Sequence, residues 1–324
     1  MDIRHVRNIR NYNVGYYPFY IRGNLTRSIV NIYGNEIYNS GYNLMRLRSL
    51  TGTLNVNADN IYYNTAYTPF ALFGAVLNSD TSGGWTCNLN ANLIDYAANS
   101  QTTGVFYIAT ANNTLNFTGN IVTNTSGSSA GRFIAATTQP NNTININGDI
   151  SLIGVTNTTN VLFQPNGGST INFNGKITGN FIGPVVKTYN GTMNINNSYI
   201  RTTVDTGSVL LLQNGSTSTG ICRINNSYIE MKNSTSTLIT GSYIKTYINN
   251  STIVNAGSGS SISNTTAFGS LQIANSMILT SGSTSISYTD AAAPVILLNT
   301  LSNVSSSIVT QYGTPLDVIS QITF

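Results

Sequence analysis

One short pattern recurs along the chain, clearest as TLNVNADNI from Thr53, TLNFTGNI from Thr114, TININGDI from Thr143 and TINFNGKI from Thr170. Anchoring each copy on its first residue gives Ile29, Thr53, Thr86, Thr114, Thr143, Thr170, Thr192, Ile221, Lys245, Ser270 and Val295, in steps of 22 to 33 residues. Three places after the anchor stand Ile32, Val56, Leu89, Phe117, Ile146, Phe173, Ile195, Ile224, Ile248, Ile273 and Leu298, apolar in every copy. One place after it stand Val30, Leu54, Cys87, Leu115, Ile144, Ile171, Met193, Cys222, Thr246, Leu271 and Ile296, apolar but for Thr246. A spacing of two places both columns on one face of a strand.

The chain bends after that strand. Five places after the anchor come Gly34, Ala58, Ala91, Gly119, Gly148, Gly175, Asn197, Asn226, Asn250 and Asn275; Gly and Asn are the residues that tolerate positive φ at a corner. An apolar residue follows two or three places later (Ile37, Ile61, Ile94, Ile121, Ile150, Ile177, Ile200, Ile229, Ile253, Ile278), predicting a second strand. A third apolar run, such as Phe133-Ile134 or Val161-Leu162-Phe163, precedes the next anchor. Three one-sided strands per repeat bury nothing alone, whereas stacking repeats about 4.8 Å apart makes a continuous core. The sequence therefore predicts an all-β chain, a parallel β-helix or β-solenoid of about eleven coils over residues 29–310. Right-handed coiling is expected, since parallel crossovers take that hand. Residues 1–28 and 311–324 stand where caps or interfaces belong, because a solenoid otherwise exposes a sheet edge at each end.

Composition agrees. Charged residues are 7% of the chain, and the polar surface is made of Asn, Ser, Thr and Gly, which disfavour helix interiors. Disorder would share that low charge but not the regular apolar columns. A leucine-rich repeat needs a leucine-dominated consensus that these copies lack. No apolar run approaches the roughly 18 residues of a membrane span, and the start shows no secretory leader, so a soluble cytoplasmic product is expected.

Two polar arrays accompany the columns. Asn at the fourth place (Asn57, Asn90, Asn147, Asn174, Asn196, Asn225, Asn249, Asn299) predicts amide hydrogen bonds passed between coils. The anchor and the residue two places on point outward as Thr53/Asn55, Thr86/Asn88, Thr114/Asn116, Thr143/Asn145, Thr170/Asn172 and Thr192/Asn194, a flat uncharged strip. This strip loosely resembles the threonine-rich faces of ice-binding β-solenoids. Opposite charges share columns one coil apart in Asp149 with Lys176 and Arg201 with Glu230, predicting exposed ion pairs worth under about 1 kcal/mol each.

Catalysis has few residues to draw on. The lone histidine is His5, so neither a His-based triad nor a His-rich metal site forms within one chain. Cys87 and Cys222 share an inward column five coils apart and read as buried hydrophobes. Among ten carboxylates, Asp205 with Glu230 is the pair left for acid–base chemistry. No metal site and no cofactor are expected.

The N-terminal segment differs from the rest. Seven of the fourteen basic residues fall in the first 48 positions. Arg4, Arg7, Arg10, Tyr12, Tyr16, Tyr17 and Tyr20 are residue types favoured in protein interfaces, predicting a docking segment. Nucleic-acid binding is a weaker reading, as the remaining surface offers no basic groove.

A distinct N-terminal mount followed by a low-charge, Asn/Ser/Thr/Gly-rich solenoid resembles the β-helix shafts of phage and other viral tail spikes, fibres and head appendages. The resemblance is one of architecture. It implies a virion location, other virion proteins as partners through residues 1–28, a homotrimer, and host surface polysaccharide as the ligand. The expected function is a non-enzymatic virion appendage. Two alternatives stay open, a β-helix polysaccharide depolymerase and an ice- or surface-binding solenoid.

Overall fold

A computed structural model describes residues 2–4, 8–11, 19–22, 28–39, 45–48, 52–63, 70–72, 84–95, 105–124, 132–155, 161–202, 210–214, 219–232, 237–240, 243–264, 269–288, 295–304, 307–308, 311–313 and 317–318. Among the described residues there are strands and no helix. Every strand pair is parallel, and each anchor strand pairs with its counterpart one repeat away, as in Thr114–Thr118 with Thr143–Asn147 and Thr143–Asn147 with Thr170–Asn174. The protein is a parallel β-solenoid. Its first and second faces together form a 21-stranded sheet, and its third face forms a 10-stranded one.

The repeat fixes the core as the columns foretold. Leu115, Phe117, Ile144, Ile146, Ile171, Phe173, Met193 and Ile195 are all buried on the first face. Ile121, Ile150, Ile177, Ile200, Ile229 and Ile253 line the second. Val105, Phe106, Ile134, Leu162, Phe163, Val185 and Val186 close the third. Each fully buried Ile, Leu or Phe contributes about 1.5–3 kcal/mol relative to exposure.

The count of about eleven coils needs revision. Turns with three separate strands run from Thr114–Thr118 to Ile262–Asn264, fewer than eleven. In earlier turns the first two faces run on as one strand, Gly52–Tyr63 and Trp85–Asp95. Their corners are Ala58 and Ala91, which have no positive φ, while Ser270–Thr280 and Val295–Ser302 also run on as single strands, through Asn275 and Asn299 at positive φ. Asp2–Arg4 and Asn8–Asn11 pair with Ser28–Asn39 ahead of the first anchor. Gln311–Gly313 and Asp317–Val318 pair with Val295–Ser302 behind the last, so backbone from both presumed caps extends the ladder.

Two columns are corrected by one residue. In the final coil Leu271 faces Val295 and Ile273 faces Leu297, so Val295 and Leu297 point inward while Leu298 is 48% exposed. The run Val295-Ile296-Leu297-Leu298 is apolar throughout and carries no alternation from which to read a register. Likewise Leu93, not Ile94, is buried beyond the bend and pairs with Ile61 and Ile121. The register between those coils shifts at Asn57/Asn60, because the Ala91 corner is one residue shorter.

Two chemically different corners divide the solenoid. Gly119, Gly148 and Gly175 turn at φ of 139, 147 and 154°, and Asn197, Asn226, Asn250, Asn275 and Asn299 turn at φ between 47 and 50°. At the glycine corners the next residue's N–H donates toward the preceding coil: Asn120 to Asn92 Oδ1, Asp149 to Asn120 Oδ1, Lys176 to Asp149 Oδ1. At the asparagine corners the following serine donates toward the next coil, Ser198 N–H to Ser227 Oγ, Ser227 to Ser251 and Ser251 to Ser276, each at 3.1 Å. Each serine hydroxyl donates in turn to the carbonyl two residues back, as Ser227 does to Asn225 at 2.8 Å.

Candidate functional site

Two outward surfaces carry side chains arranged for contact. On the first face Thr53, Thr86, Thr114, Thr143, Thr170 and Thr192 lie in register, with Asn55, Asn88, Asn116, Asn145, Asn172 and Asn194 two places on. The amide ladder expected in the fourth column runs here instead. Each Nδ2 donates to the Oδ1 of the preceding coil, from Asn55 to Asn31 at 2.8 Å through to Asn194 to Asn172 at 2.6 Å. Mid-strand side chains in a parallel register face their equivalents directly, whereas the fourth column lies at the corner, where Asn225 to Asn196 is a bond of this kind. The ladder stops at Asn194, whose buried Oδ1 has no hydrogen-bond partner among the described residues. Opposite it stands Arg223, with its guanidinium 5.4 Å from the Tyr247 ring centroid. The strip is therefore partly committed to holding itself together.

The second surface is an open groove of about 690 Å³ along the second face, lined by Asp149, Lys176, Tyr199, Tyr228, Asn250 and Thr252 among others. It rests on a column whose register is Lys176, Tyr199, Tyr228, Thr252 and Met277. The Tyr199 and Tyr228 rings stack, with centroids 5.5 Å apart and planes 10° from parallel. Lys176, on the coil before Tyr199, holds its Nζ 5.6 Å from the Tyr199 centroid. The expected Asp149–Lys176 ion pair takes another form: Asp149 Oδ1 accepts the Lys176 backbone N–H at 2.9 Å, and the ammonium turns to the tyrosine.

Arg201 and Glu230 form their expected pair, Nε to Oε2 at 3.3 Å. The same Oε2 accepts the Tyr228 hydroxyl at 3.2 Å. The Tyr199 hydroxyl, and after it the Glu230 charge, raise the Arg201 pKa above its ordinary value. Partial burial, and after it the Glu230 charge, raise that of Tyr228. Both groups hold their protons at neutral pH, so Glu230 faces two standing donors.

No protein-family model, curated protein or solved structure matches this chain. Function is therefore read from these surfaces.

Of the acid–base candidates, Glu230 is engaged by Arg201 and Tyr228, and Asp205 lies outside the described residues. Of the docking candidates, Arg7, Tyr12, Tyr16 and Tyr17 also lie outside them. Arg4, Arg10 and Tyr20 stand on the strands Asp2–Arg4, Asn8–Asn11 and Phe19–Arg22, of which the backbone alone is described. No group of three His, Cys, Asp or Glu occurs among the described residues. Cys87 and Cys222 are free and buried, and burial pushes both thiols up to about 12. Sequence reasoning missed the tyrosine stack, although INNSYI at Ile195–Ile200 and again at Ile224–Ile229 carried the signal.

Proposed function

We propose that this protein is a non-enzymatic virion appendage, a rod mounted by its N-terminal segment, whose groove beside Tyr199 and Tyr228 meets carbohydrate on a host surface. One observation carries the carbohydrate part. The groove combines a stacked tyrosine pair, a common platform for sugar rings through their C–H faces, with corner amides, and two residues beyond Tyr228 stands the Glu230 carboxylate, bonded to Arg201 and Tyr228. A depolymerase needs a carboxylic acid and a second carboxylate held on either side of the scissile bond. Glu230 is instead held as an ionised acceptor, its Oε2 bonded to Arg201 and Tyr228. The virion setting rests on the architectural resemblance and on the basic, tyrosine-rich start of the chain.

The test is incubation of the full chain with purified capsule or lipopolysaccharide, followed by sedimentation and an assay for released oligosaccharide. Co-sedimentation without release is expected. Release would overturn the non-enzymatic reading, and absence of co-sedimentation would overturn the carbohydrate attachment.

A further inference from the structure

The groove has a missing layer. Along its column the side chains are Lys176, Tyr199, Tyr228, Thr252 and Met277, so bulk is interrupted at Thr252. The ammonium of Lys176 takes one face of Tyr199, and Tyr228 takes the other. The far face of Tyr228 looks across the short Thr252 toward Met277, two rungs on, and Tyr228 is 37% exposed. Two rungs span about 9.6 Å. A ring in contact on both sides needs about 7–8 Å, twice the usual carbon–carbon contact. The notch therefore admits one ring, flat against Tyr228, with the Thr252 hydroxyl at its floor.

A second tyrosine stack shows that such a notch is not automatic. Tyr38 and Tyr62 stack at 4.6 Å beside Glu36, much as Tyr199 and Tyr228 do beside Glu230. The next residue in that column is Ile94, a larger and apolar side chain at the position that Thr252 holds beside Tyr228.

The rim of the notch is polar. Asn226 and Asn250 stand exposed at the corner, where Asn250 Nδ2 donates a long hydrogen bond of 3.3 Å to Asn226 Oδ1. Glu230 stands two residues beyond Tyr228, and its neighbour on the next coil is the uncharged Val254. The charge on the strand of Tyr228 is thus the Glu230 carboxylate, already paired with Arg201, which accepts from hydroxyl groups and leaves that cation engaged. Lys176 lies two rungs away behind both tyrosines.

Resting on the carbohydrate reading above, we infer that the notch between Tyr228 and Met277 is a subsite for one neutral pyranose, stacked on Tyr228 with its hydroxyls donating to Glu230 and meeting the Asn226 and Asn250 amides. Uronic and sialic acids are disfavoured there because Arg201, the cation beside it, is already engaged by Glu230.

The experiment is an array of neutral and acidic oligosaccharides probed with the full chain, Tyr228→Ala, Thr252→Trp and, as a control on the distant strip, Thr143→Ala. Thr252→Trp fills the notch from an outward position, and circular dichroism checks that each variant is folded. Wild type is expected to bind neutral pyranosides. Tyr228→Ala and Thr252→Trp are each expected to weaken that binding at least about tenfold, and Thr143→Ala to leave it unchanged. Neutral binding that survives both notch substitutions would overturn the subsite and leave the carbohydrate reading standing. Binding confined to acidic sugars would overturn the neutral assignment, and binding to no sugar at all would overturn both.

Discussion

A β-carbon placed on Gly148 would lie 1.8 Å from the carbonyl oxygen of Gly119, one coil below it. Gly148 also turns at φ 147°, where side chains are strained regardless of space. Gly148→Ala is therefore expected to push two rungs apart and to destabilise by roughly 2–4 kcal/mol. Gly168→Ala is the comparison: its φ is 77°, but nothing lies within 4 Å. It should cost about 1 kcal/mol. Urea denaturation of the two variants measures the difference, and equal losses would mean that close approach contributes nothing.

Asn145 donates to Asn116 at 2.7 Å and accepts from Asn172 at 2.6 Å. Asn145→Asp keeps the acceptor and loses the donor unless the acid is protonated. Facing Asn116 Oδ1, its folded pKa should rise above the ordinary aspartate value of about 3.9. The variant should accordingly hold its stability below that value and lose it as pH rises through the folded pKa, ending roughly 1–3 kcal/mol below wild type at neutral pH. Thermal melts from pH 3 to pH 7 follow this, and a pH-independent deficit would show that the ladder bond is not what was lost.

Cys87 and Cys222 should resist thiol reagents at pH 8 in the folded protein and react fully in denaturant, because burial keeps both protonated. Unfolded, each loses its proton near 9.0; folded, near 12. Stability from this source is complete below pH 9 and declines as pH rises toward 12. Alkaline unfolding of the double alanine variant should be less steep than that of wild type, and an unchanged slope would remove the thiols from the account.

Arg201 is 47% and Glu230 18% exposed, so their pair is largely screened. Glu230→Gln should cost under about 1 kcal/mol and lower the pKa of Tyr228 by removing a nearby negative charge. Ultraviolet titration of the tyrosines reads the second effect, and an unmoved transition would contradict the bond between Tyr228 and Glu230.

The inward columns and the corners were legible because each demands a residue class that recurs at fixed offsets, as in Ile144, Ile146 and Gly148. Val295 to Leu298 defeated the same reading, since an unbroken apolar run fits either register. The amide ladder was assigned to the wrong column because Asn145 and Asn147 recur in almost the same coils. Both stand opposite a copy in the register, Asn145 with Asn172 and Asn147 with Asn174, and the position of the corner after Asn147 is what leaves the bonded ladder to the mid-strand column. The notch was harder still. It is a property of Tyr228, Thr252 and Met277 together, residues 24 and 25 positions apart that become neighbours only once the register is known.

The change of corner between Gly175 and Asn197 makes the rod two repeat arrays joined end to end. At the seam the donors diverge: Lys176 N–H points back to Asp149, and Ser198 N–H points on to Ser227. A coil copied within its own array would find neighbours whose corner bonds run the same way. One transplanted across the seam would leave a corner donor without its acceptor. The rod can thus lengthen by duplication on either side of Gly175, and its coils are not interchangeable parts.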